Sequence, residues 1–246
     1  MKIVKEIFAR IWAIWAMISF IITFALIFLP SMCCYLIPEP KGQAIFITIA
    51  RIWMRVWLNL VGCTVKVKGR QYFASGEQYI VTFNHNTLLD VPLSAPFVPG
   101  ANKTIAKKSF TKIPLFGFYY AKGSVLVDRK SEASRVESFE KMKATLANNM
   151  HMSIYPEGTR NRSGNPLKKF YSGAFKLAVA TEKSVIPCLL FNTAKAMPNN
   201  KFFYFLPASL EMHFLPPISS KSISAEELKE KVFQTMWDYY TANKKN

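Results

Sequence analysis

The amino-acid sequence predicts an α/β domain with a mostly parallel central sheet flanked by helices, preceded by a hydrophobic helical membrane anchor. Short runs of β-branched and apolar residues recur from residue 63 onward, and stretches with helical periodicity separate them. Before that point, the 19 residues from Ile11 to Leu29 contain no charge. We therefore expect membrane-anchoring helices in residues 1–62 and the α/β domain in residues 63–246.

Composition limits the kinds of partner. The chain has 246 residues, half of them hydrophobic, and a formal net charge of +17. A positive charge of this size indicates a polyanionic partner, which can be a nucleic acid, an anionic membrane or a phosphorylated substrate. Because a nucleic-acid partner leaves the apolar N-terminus unexplained, we expect an anionic membrane surface and a phosphorylated ligand, and no nucleic acid.

The four cysteines indicate a reducing environment. Cys33 and Cys34 are adjacent within an apolar stretch, and no combination with Cys63, Cys188 or a histidine has the spacing of metal ligands. We interpret all four as reduced and structural, which favours a catalytic part on the cytosolic side. We predict no metal site.

The apolar N-terminal run is predicted to be retained as an anchor. Lys2, Lys5 and Arg10 precede it, as in a secretory signal peptide. However, the run is longer than the apolar core of such a peptide, and no small-residue cleavage site follows Leu29. Its length is sufficient for a helix that crosses a bilayer.

The topology of this anchor has more than one solution. We predict that Pro30 ends the first helix, that residues 38–40 form a bend, and that residues 44–62 carry Arg51 and Arg55 on one polar stripe of a second helix. Such a helix suits the headgroup region, and positive charges on both sides of the apolar run favour a hairpin in the cytosolic leaflet of the inner cell membrane. A simple membrane span and a buried core helix are the alternatives.

Apolar runs and turn signals give the order of elements in the α/β domain. Strands are predicted over residues 64–69, 79–83, 104–106, 124–127, 152–155, 185–191 and 210–214. Helices are predicted over residues 87–97, 114–121, 132–148 and 172–183, followed by a last helix that Ser224 and Glu227 cap and that ends near Asn243. Strands that alternate with helices predict a largely parallel sheet.

Three loops that follow predicted strands carry unusual side chains. They contain the sequences NHNTLLD (84–90), GSVLVDR (123–129) and YPEGTRNRSG (155–164). Ligands of open α/β sheets bind beyond the carboxyl ends of the strands, where such loops meet. We therefore expect the functional site where these three loops come together.

His85 and Asp90 are a candidate proton-transfer pair. Positions five apart do not face each other on an ideal helix, so His85 must lie in the turn before the helix and Asp90 in its first turns. Asp90 would then fix the imidazole tautomer and support its positive charge, which leaves the other ring nitrogen as a general base. The alternative is an asparagine-rich turn whose histidine has no catalytic role.

Arg129 is a candidate phosphate ligand. It follows an apolar strand, and its guanidinium suits bidentate binding of a phosphate group. A salt bridge to Asp128 or Glu157 is the alternative.

The third loop is a candidate oxyanion site. Gly158 allows backbone N–H groups to converge on an anion, and Arg160 adds positive charge. We assign oxyanion binding or substrate positioning to Glu157, Gly158 and Thr159. For Glu157 we favour an ion pair that positions Arg160 over a direct bond to a substrate hydroxyl.

The chemistry expected from these loops is acyl transfer. Apart from Ser124 and Ser163, the key loop positions contain no serine or cysteine, and no nucleophile motif is present. The base is therefore expected to activate a substrate hydroxyl directly. A base, a phosphate ligand, an oxyanion site and a membrane anchor together predict transfer of an acyl group to a phosphorylated lipid.

Residues 79–191 resemble the 1-acyl-glycerol-3-phosphate acyltransferases of the glycerophospholipid acyltransferase superfamily. Four blocks of that family occur in order: NHNTLLD with its HxxxxD pattern, residues 106–129, YPEGTRNRSG, and VIPCLLF around Pro187. The order of four blocks makes the resemblance specific. The chain departs from the family pattern at Asn86 and Thr87, where serine is frequent, and at Cys188, where valine is frequent.

The resemblance implies a membrane-bound enzyme of phospholipid biosynthesis without a bound cofactor. Its acyl donor would be acyl-CoA or acyl carrier protein, its acceptor the 2-hydroxyl of 1-acyl-glycerol-3-phosphate (lysophosphatidic acid), and its product phosphatidic acid. The resemblance implies that His85 is the base, that Asp90 orients it, and that Arg129, Lys107 and Arg160 lie near the phosphate. Another lyso-lipid acceptor, such as a lyso-ornithine lipid, and a non-catalytic lipid-binding protein are the alternatives.

Overall fold

The computed structural model describes residues 2–244, and its centre is a sheet of seven strands within that range. The strands are β1 (Thr64–Lys68), β2 (Ile80–Phe83), β3 (Asn102–Lys107), β4 (Ser124–Val127), β5 (His151–Ile154), β6 (Val185–Phe191) and β7 (Ser209–Phe214). They lie in the order β1-β7-β6-β2-β5-β3-β4. Every neighbouring pair is parallel except β6 and β7. The prediction of a mostly parallel sheet is confirmed.

Helices cover both faces of this sheet. The α-helices of the described residues are α1 (Lys2–Cys33), α2 (Lys41–Leu60), α3 (Asp90–Ser94), α4 (Phe116–Lys122), α5 (Glu132–Ala147), α6 (Gly173–Thr181), α7 (Thr193–Ala196) and α8 (Ala225–Asn243). Helix α8 begins with the predicted capping box, in which Ser224 and Glu227 satisfy each other's backbone N–H groups.

The helix predicted over residues 87–97 is shorter in the structure. Helix α3 begins only at Asp90, and residues 95–97 continue as a 3-10 turn. The backbone N–H groups of Asn86 and Thr87 donate to the Asp90 carboxylate, so these residues form a turn in place of the first helical turn. A turn, and not a helix face, therefore follows β2.

Two hydrophobic cores lie on opposite faces of the sheet. In β2, Val81 and Phe83 belong to the core that includes residues of α1, α2 and α3, whereas Ile80 belongs to the core that includes α5, α6 and α8. Successive side chains of a strand point to opposite faces, so a strand between two cores is apolar at most of its positions. Strand β6 shows this pattern, because all its residues are apolar and buried. The exception in β2 is Thr82, which is polar and buried.

Helix α2 is part of the first core and does not lie free in a headgroup region. Its Trp53 side chain is buried in that core. Arg51 donates hydrogen bonds to the carbonyl oxygens of Pro96 at 2.7 Å and Val98 at 2.9 Å. The prediction of a polar stripe at the membrane surface is therefore wrong for Arg51, whose guanidinium satisfies carbonyls at the end of the 3-10 turn. Arg55 is exposed.

Helix α1 passes through Pro30 and ends at Cys33, so the prediction that Pro30 ends the helix is wrong. Proline removes one backbone N–H donor. Because Pro30 lies in the last turn, only a short stretch of helix follows it. That stretch leads directly into a 3-10 turn over residues 34–36.

Helix α1 packs closely against α2 along a stripe of small residues. The buried residues of the stripe are Ala9, Ala13, Ala16 and Ser19. Four indole N–H groups join the helices at 2.9 to 3.1 Å: Trp12 to the Val61 carbonyl, Trp15 to the Leu60 carbonyl, Trp57 to the Ala16 carbonyl and Trp53 to the Thr23 hydroxyl. The opposite side of α1 exposes large apolar side chains, such as Ile3 and Leu26. Among the described residues, the segment 2–36 is the one helix long and apolar enough to cross a membrane.

Both ends of α1 are fixed to the α/β domain. In the turn that follows α1, Glu39 forms ion pairs with Lys103 at 2.7 Å and with Lys122 at 3.4 Å. Near the start of α1, the Phe205 N–H donates to the Ala9 carbonyl at 3.1 Å. The helix therefore lies along the domain. The division of the chain at residue 62 stays a prediction.

His151 is expected to make the fold sensitive to acid. Its Nδ1 accepts a hydrogen bond from the Tyr79 N–H at 3.0 Å, and burial lowers the pKa of His151 from 6.5 to about 4. Because the folded state resists protonation, this contribution to stability is complete above pH 6.5 and falls by about 3 kcal/mol as the pH drops toward 4. The thermal midpoint in detergent should fall over this range.

The matched variant for this prediction is His151→Asn. The asparagine side-chain oxygen can accept the same hydrogen bond and does not titrate. Its midpoint should depend less on pH between 6.5 and 4. Equal pH slopes in the two proteins would contradict a buried, neutral His151.

Candidate active site

The carboxyl ends of four parallel strands bring the predicted loops to one edge of the sheet. Strand β2 pairs with β5, β5 with β3, and β3 with β4, all in parallel. Residues 84–90 follow β2, residues 155–164 follow β5, and residues 128–130 follow β4. Ligands of open α/β sheets bind at this edge, which is therefore the candidate active site.

His85 and Asp90 meet in the turn between β2 and α3. The distance from His85 Nδ1 to Asp90 Oδ2 is 2.9 Å; the Asp90 side chain has no exposed surface and that of His85 is 16% exposed. Because a carboxylate accepts hydrogen bonds, Nδ1 carries the proton and Nε2 is the nitrogen that can take one from a substrate. The predicted pairing of residues five apart is thus present, with the histidine before the helix.

Backbone hydrogen bonds fix the Asp90 carboxylate. Its Oδ2 also accepts from the N–H groups of Asn86 at 2.5 Å and Thr87 at 2.7 Å. Among the described residues, its buried Oδ1 has no hydrogen-bond partner. The carboxylate is therefore held rigidly in the orientation that accepts the imidazole N–H.

Tyr155 covers one side of the imidazole. The centroids of the Tyr155 and His85 rings are 4.5 Å apart, and the rings are inclined by 38°. The Tyr155 hydroxyl is bonded to the Ser94 hydroxyl at 2.5 Å. Burial and the charge of Asp90 raise the pKa of Tyr155 well above its usual range, so the phenol stays neutral. Tyr155 therefore packs against the base and does not supply charge.

Glu157 holds the active-site loops by their backbones. Its side chain is fully buried; Oε1 accepts from the His85 N–H at 2.8 Å and Oε2 from the Lys168 N–H at 3.0 Å. Burial raises the pKa of Glu157 to about 7. The predictions that it positions Arg160 or contacts substrate are wrong, because both carboxylate oxygens face backbone donors inside the protein. Glu157 sets the position of His85.

The predicted convergence of backbone N–H groups at Gly158 and Thr159 is wrong. The Gly158 N–H donates to the Tyr155 carbonyl at 3.0 Å, and the Thr159 N–H donates to the Glu157 carbonyl at 2.8 Å. Both donors are used inside the turn. Gly158 is required for a different reason: its φ is +69°, and an added Cβ would lie 2.8 Å from the Tyr171 ring.

Arg129 joins the second loop to the third. Its Nη1 donates to the Gly158 carbonyl, while the Asp128 carboxylate accepts from the Lys130 N–H at 3.1 Å. The predicted alternative of a salt bridge is not what the structure contains, since Arg129 meets a carbonyl and both oxygens of Glu157 meet backbone donors. A guanidinium has five N–H donors, so this contact still allows Arg129 to bind an anion.

A cationic cavity of about 450 Å³ opens in the third loop. It is lined by Thr159, Arg160, Arg162, Ser163 and Lys168. Lys168 Nζ donates to the Thr159 hydroxyl at 2.8 Å. The same loop is bonded to the turn between β2 and α3, because the Asn161 N–H donates to the His85 carbonyl at 2.6 Å. Arg160 therefore lies next to the residue that links the cavity loop to the candidate base.

Lys107 lies at the same sheet edge as the other predicted cations. It is the last residue of β3 and pairs in register with Val127, the last residue of β4, which lies two positions before Arg129 in the chain. Its side chain is exposed. The sheet thus brings Lys107 and Arg129 to adjacent strand ends.

Two asparagine side chains to which the sequence analysis assigns no role support the site. The buried Asn84 side chain makes two hydrogen bonds to the backbone of Leu190, at 3.0 and 2.7 Å. Asn199 Nδ2 donates to the carbonyls of Asn86 and Asn161, the latter at 3.1 Å. Asn84 directly precedes His85, so its position in the sequence could have indicated a role in the site. No local sequence pattern indicates Asn199.

Comparison with known proteins identifies the fold and the chemistry. Residues 64–190 match the family model described as Acyltransferase. The chain belongs to the acyltransferase family. The matched segment contains the His85–Asp90 pair, Arg129 and the third loop, so the resemblance that the sequence blocks indicated is confirmed and the protein is an acyltransferase enzyme.

Several curated acyltransferases are similar to this one over most of its length. The chain is 30% identical over 215 residues to the 1-acyl-sn-glycerol-3-phosphate acyltransferase of Saccharomyces cerevisiae, covering 85% of this chain and 69% of that protein. It is 28% identical over 180 residues to the protein of that name from Cocos nucifera, covering 72% of this chain and 57% of that protein. The Salmonella typhimurium protein of that name is 30% identical over 168 residues, 64% of each chain. The chain thus spans between 57% and 69% of the length of these relatives.

A solved structure has the same fold. The crystal structure of the 1-acyl-sn-glycerophosphate (LPA) acyltransferase of Thermotoga maritima matches this acyltransferase with a TM-score of 0.79, over 98% of this chain and 97% of that chain. The sequence identity is 22%, so the likeness concerns the fold. The predicted α/β class is confirmed.

Proposed function

We propose that this acyltransferase moves a fatty acyl group from acyl-CoA or acyl carrier protein to the 2-hydroxyl of 1-acyl-glycerol-3-phosphate, forming phosphatidic acid. The observation that carries the proposal is the His85–Asp90 pair, bonded through the His85 carbonyl to the loop of a cationic cavity. A base next to an anion site suits an acceptor that carries both a hydroxyl and a phosphate. The names of the similar curated proteins support the same acceptor.

In the proposed mechanism, His85 is the general base. Its Nε2 removes the proton from the acceptor hydroxyl while the hydroxyl oxygen attacks the thioester carbonyl carbon. The tetrahedral intermediate then expels the thiolate, which takes the proton back from the imidazolium. Asp90 stabilises the imidazolium between these steps, and no covalent enzyme intermediate forms.

Arg129, Arg160 and Lys107 are proposed to bind the acceptor phosphate. All three follow or end strands at the carboxyl edge, and each is fully or partly exposed. Arg129 is the best placed of them for a bidentate contact, because its Nη1 bond to Gly158 holds the guanidinium in the site.

Replacing Arg129 with alanine is expected to weaken acceptor binding. A hydrogen bond to a charged group contributes about 1.5–3 kcal/mol, so the KM for lysophosphatidic acid should rise roughly 10- to 100-fold. Slow hydrolysis of the thioester donor in the absence of acceptor should change less. Arg129→Lys, which keeps the charge but not the planar fork, should be intermediate. If Arg129→Ala reduces both reactions equally, Arg129 does not bind the acceptor phosphate and only stabilises the loop that contains Gly158.

We propose that α1, packed on α2, holds the enzyme in the cytosolic leaflet of the inner membrane, with the catalytic domain on the cytosolic face. Both ends of α1 are bonded to the α/β domain, so a helix that crossed the bilayer would have to break contacts at one end. The exposed apolar side of α1 supplies the surface that enters the lipid. The net charge of +17 supplies attraction to anionic headgroups.

Native Cys33 is a reporter of this topology. It is exposed near the end of α1, whereas Cys34, Cys63 and Cys188 are buried. We expect a membrane-impermeant thiol reagent to leave Cys33 unlabelled when it is applied to the outer face of the membrane. As a control, a Val136→Cys variant, changed at an exposed position of α5, should react only from the cytosolic face. Labelling of Cys33 from the outer face would indicate a full span.

The proposed reaction is tested with detergent-solubilised protein. Lysophosphatidic acid is supplied with either acyl-CoA or acyl carrier protein as donor, and phosphatidic acid is measured as product. Parallel reactions contain lyso-ornithine lipid or a lysophospholipid as acceptor. We expect phosphatidic acid with at least one donor. If only another acceptor is acylated, that lipid is the substrate in place of lysophosphatidic acid. If none of the acceptors is acylated, the result favours a lipid-binding protein.

A further inference from the structure

Residues 198–205 form a loop that connects the active site with the beginning of α1. Near one end of the loop, Asn199 Nδ2 donates to the Asn86 carbonyl in the turn of residues 84–90 and to the Asn161 carbonyl in the cavity loop. We call residues 84–90, which carry the proposed base, the catalytic turn. At the other end, the Phe205 N–H donates to the Ala9 carbonyl. The loop therefore connects the beginning of α1 to the turn that holds the candidate base through hydrogen bonds at both of its ends.

The tip of the loop exposes two adjacent aromatic rings. Phe202 is 87% exposed and Phe203 is 36% exposed, with ring centroids 6.3 Å apart. Phe203 has a φ of +50°, a conformation that bulky side chains rarely adopt. A strained backbone that presents two phenylalanines to solvent carries an energetic cost, and such a cost indicates a functional contact.

Contacts with α1 place this tip beside the apolar side of the helix. Lys201 forms an ion pair with Glu6, and Arg10 Nη1 donates to the Phe202 carbonyl at 3.1 Å. The exposed Ile3 and Ile7 lie roughly 60–100° around the helix from Glu6. The aromatic tip thus continues the apolar surface of α1, and basic side chains border it.

We propose that Phe202 and Phe203 insert into the headgroup region of an anionic bilayer beside α1, and that this contact aligns the catalytic turn through Asn199. The inference rests on the proposed function, since the membrane is where the amphiphilic acceptor lies. Apolar side chains bordered by Lys and Arg suit an anionic lipid surface. This membrane contact orients the active site over the leaflet that contains the lipid acceptor.

A fluorescent probe at the tip tests insertion without reference to acyl transfer. In a Cys33→Ser background, Phe202→Cys is labelled with an environment-sensitive dye and mixed with vesicles of phosphatidylethanolamine and phosphatidylglycerol. We expect a blue shift of the emission, and no shift from the same dye at Val136→Cys. An unshifted tip probe in a protein that makes phosphatidic acid would overturn the inference and leave the proposed function standing. A shifted probe in a protein that acylates no acceptor would support the membrane contact and remove only the proposed reaction.

Kinetics of Phe202 variants test the use of this contact. Phe202→Ser should lower the ratio of activity on vesicle-bound to activity on short-chain soluble acceptor about tenfold, because apolar burial in the interface is lost. Phe202→Trp should preserve the ratio, and Val136→Ser should not alter it. An unchanged ratio in Phe202→Ser, or an equal loss on both acceptors, would overturn the inference.

Asn199 is a positioning residue in this proposal. Its variants separate insertion of the tip into the membrane from alignment of the catalytic turn. Asn199→Ala and Asn199→Asp both lack the donating N–H, and the second keeps the shape of the side chain. Both should lower kcat on soluble and vesicle-bound acceptor alike, with little change in the KM for the donor, while the tip probe still shifts. Full kcat in Asn199→Asp would overturn the link from the tip to the catalytic turn.

Discussion

Replacing His85 with alanine is expected to lower kcat for acyl transfer about 10³-fold, because general base catalysis contributes roughly 10²–10⁴ in rate. The imidazole is 16% exposed and its Nδ1 is bonded to Asp90 at 2.9 Å, which leaves Nε2 as the ring nitrogen that can take the proton of the acceptor hydroxyl. The protein should remain folded, since the His85 N–H and carbonyl, which Glu157 and Asn161 engage, are retained. The measurements are initial rates of phosphatidic acid formation and the thermal midpoint in detergent.

Asp90→Asn is the matched variant for this prediction. Asp90 Oδ2 accepts from His85 Nδ1 and from two backbone N–H groups. An amide oxygen can keep the backbone bonds, but an amide cannot stabilise the imidazolium, so kcat should fall strongly with little loss of fold. Near-normal turnover in a folded His85→Ala protein would show that another group removes the proton.

The strands and the His85–Asp90 pair can be predicted from the sequence because local patterns determine them. Strand β6 is a continuous apolar run, and the pair lies within one turn of chain. The role of Glu157 is different in kind. Its bond to the His85 N–H spans 72 positions, and the bond from Asn199 to the Asn86 carbonyl spans 113. No local pattern carries such information, so the sequence predicts that Glu157 positions Arg160 or binds a substrate hydroxyl, whereas its carboxylate accepts hydrogen bonds from two backbone N–H groups.

Helix α2 illustrates a second limit of the sequence. Trp53 and Arg51 suit a membrane interface by residue type alone, because lipid and a protein core both accept apolar side chains bordered by a cation. Only the tertiary fold brings the carbonyls of Pro96 and Val98 to the Arg51 guanidinium. Periodicity thus identifies the apolar side of a helix and not the partner that covers it.

Removing residues 1–60 is expected to unfold the α/β domain, and not merely to release it from the membrane. The deletion removes the buried Trp53, Met54, Trp57 and Leu58 from the core that Phe83 shares. Truncating one large core side chain costs about 2–5 kcal/mol, so four together cost roughly 8–20 kcal/mol. Native proteins are typically stable by about 5–15 kcal/mol, so a loss of this size is enough to unfold the domain. The fragment 61–246 should show no cooperative thermal transition.

Substitutions on the outer side of α1 should have the opposite effect. Ile11, Ile18 and Leu26 are exposed, so replacing all three with serine removes no core contact. Each would contribute about 1.5–3 kcal/mol on full burial in lipid, so the triple variant should bind vesicles at least a hundredfold more weakly. Its thermal midpoint in detergent should match that of the unaltered protein, because α2 still completes the core. A fragment 61–246 that unfolds cooperatively would show that α2 is an appendage, and unchanged vesicle binding by the triple variant would show that the outer side of α1 does not enter the lipid.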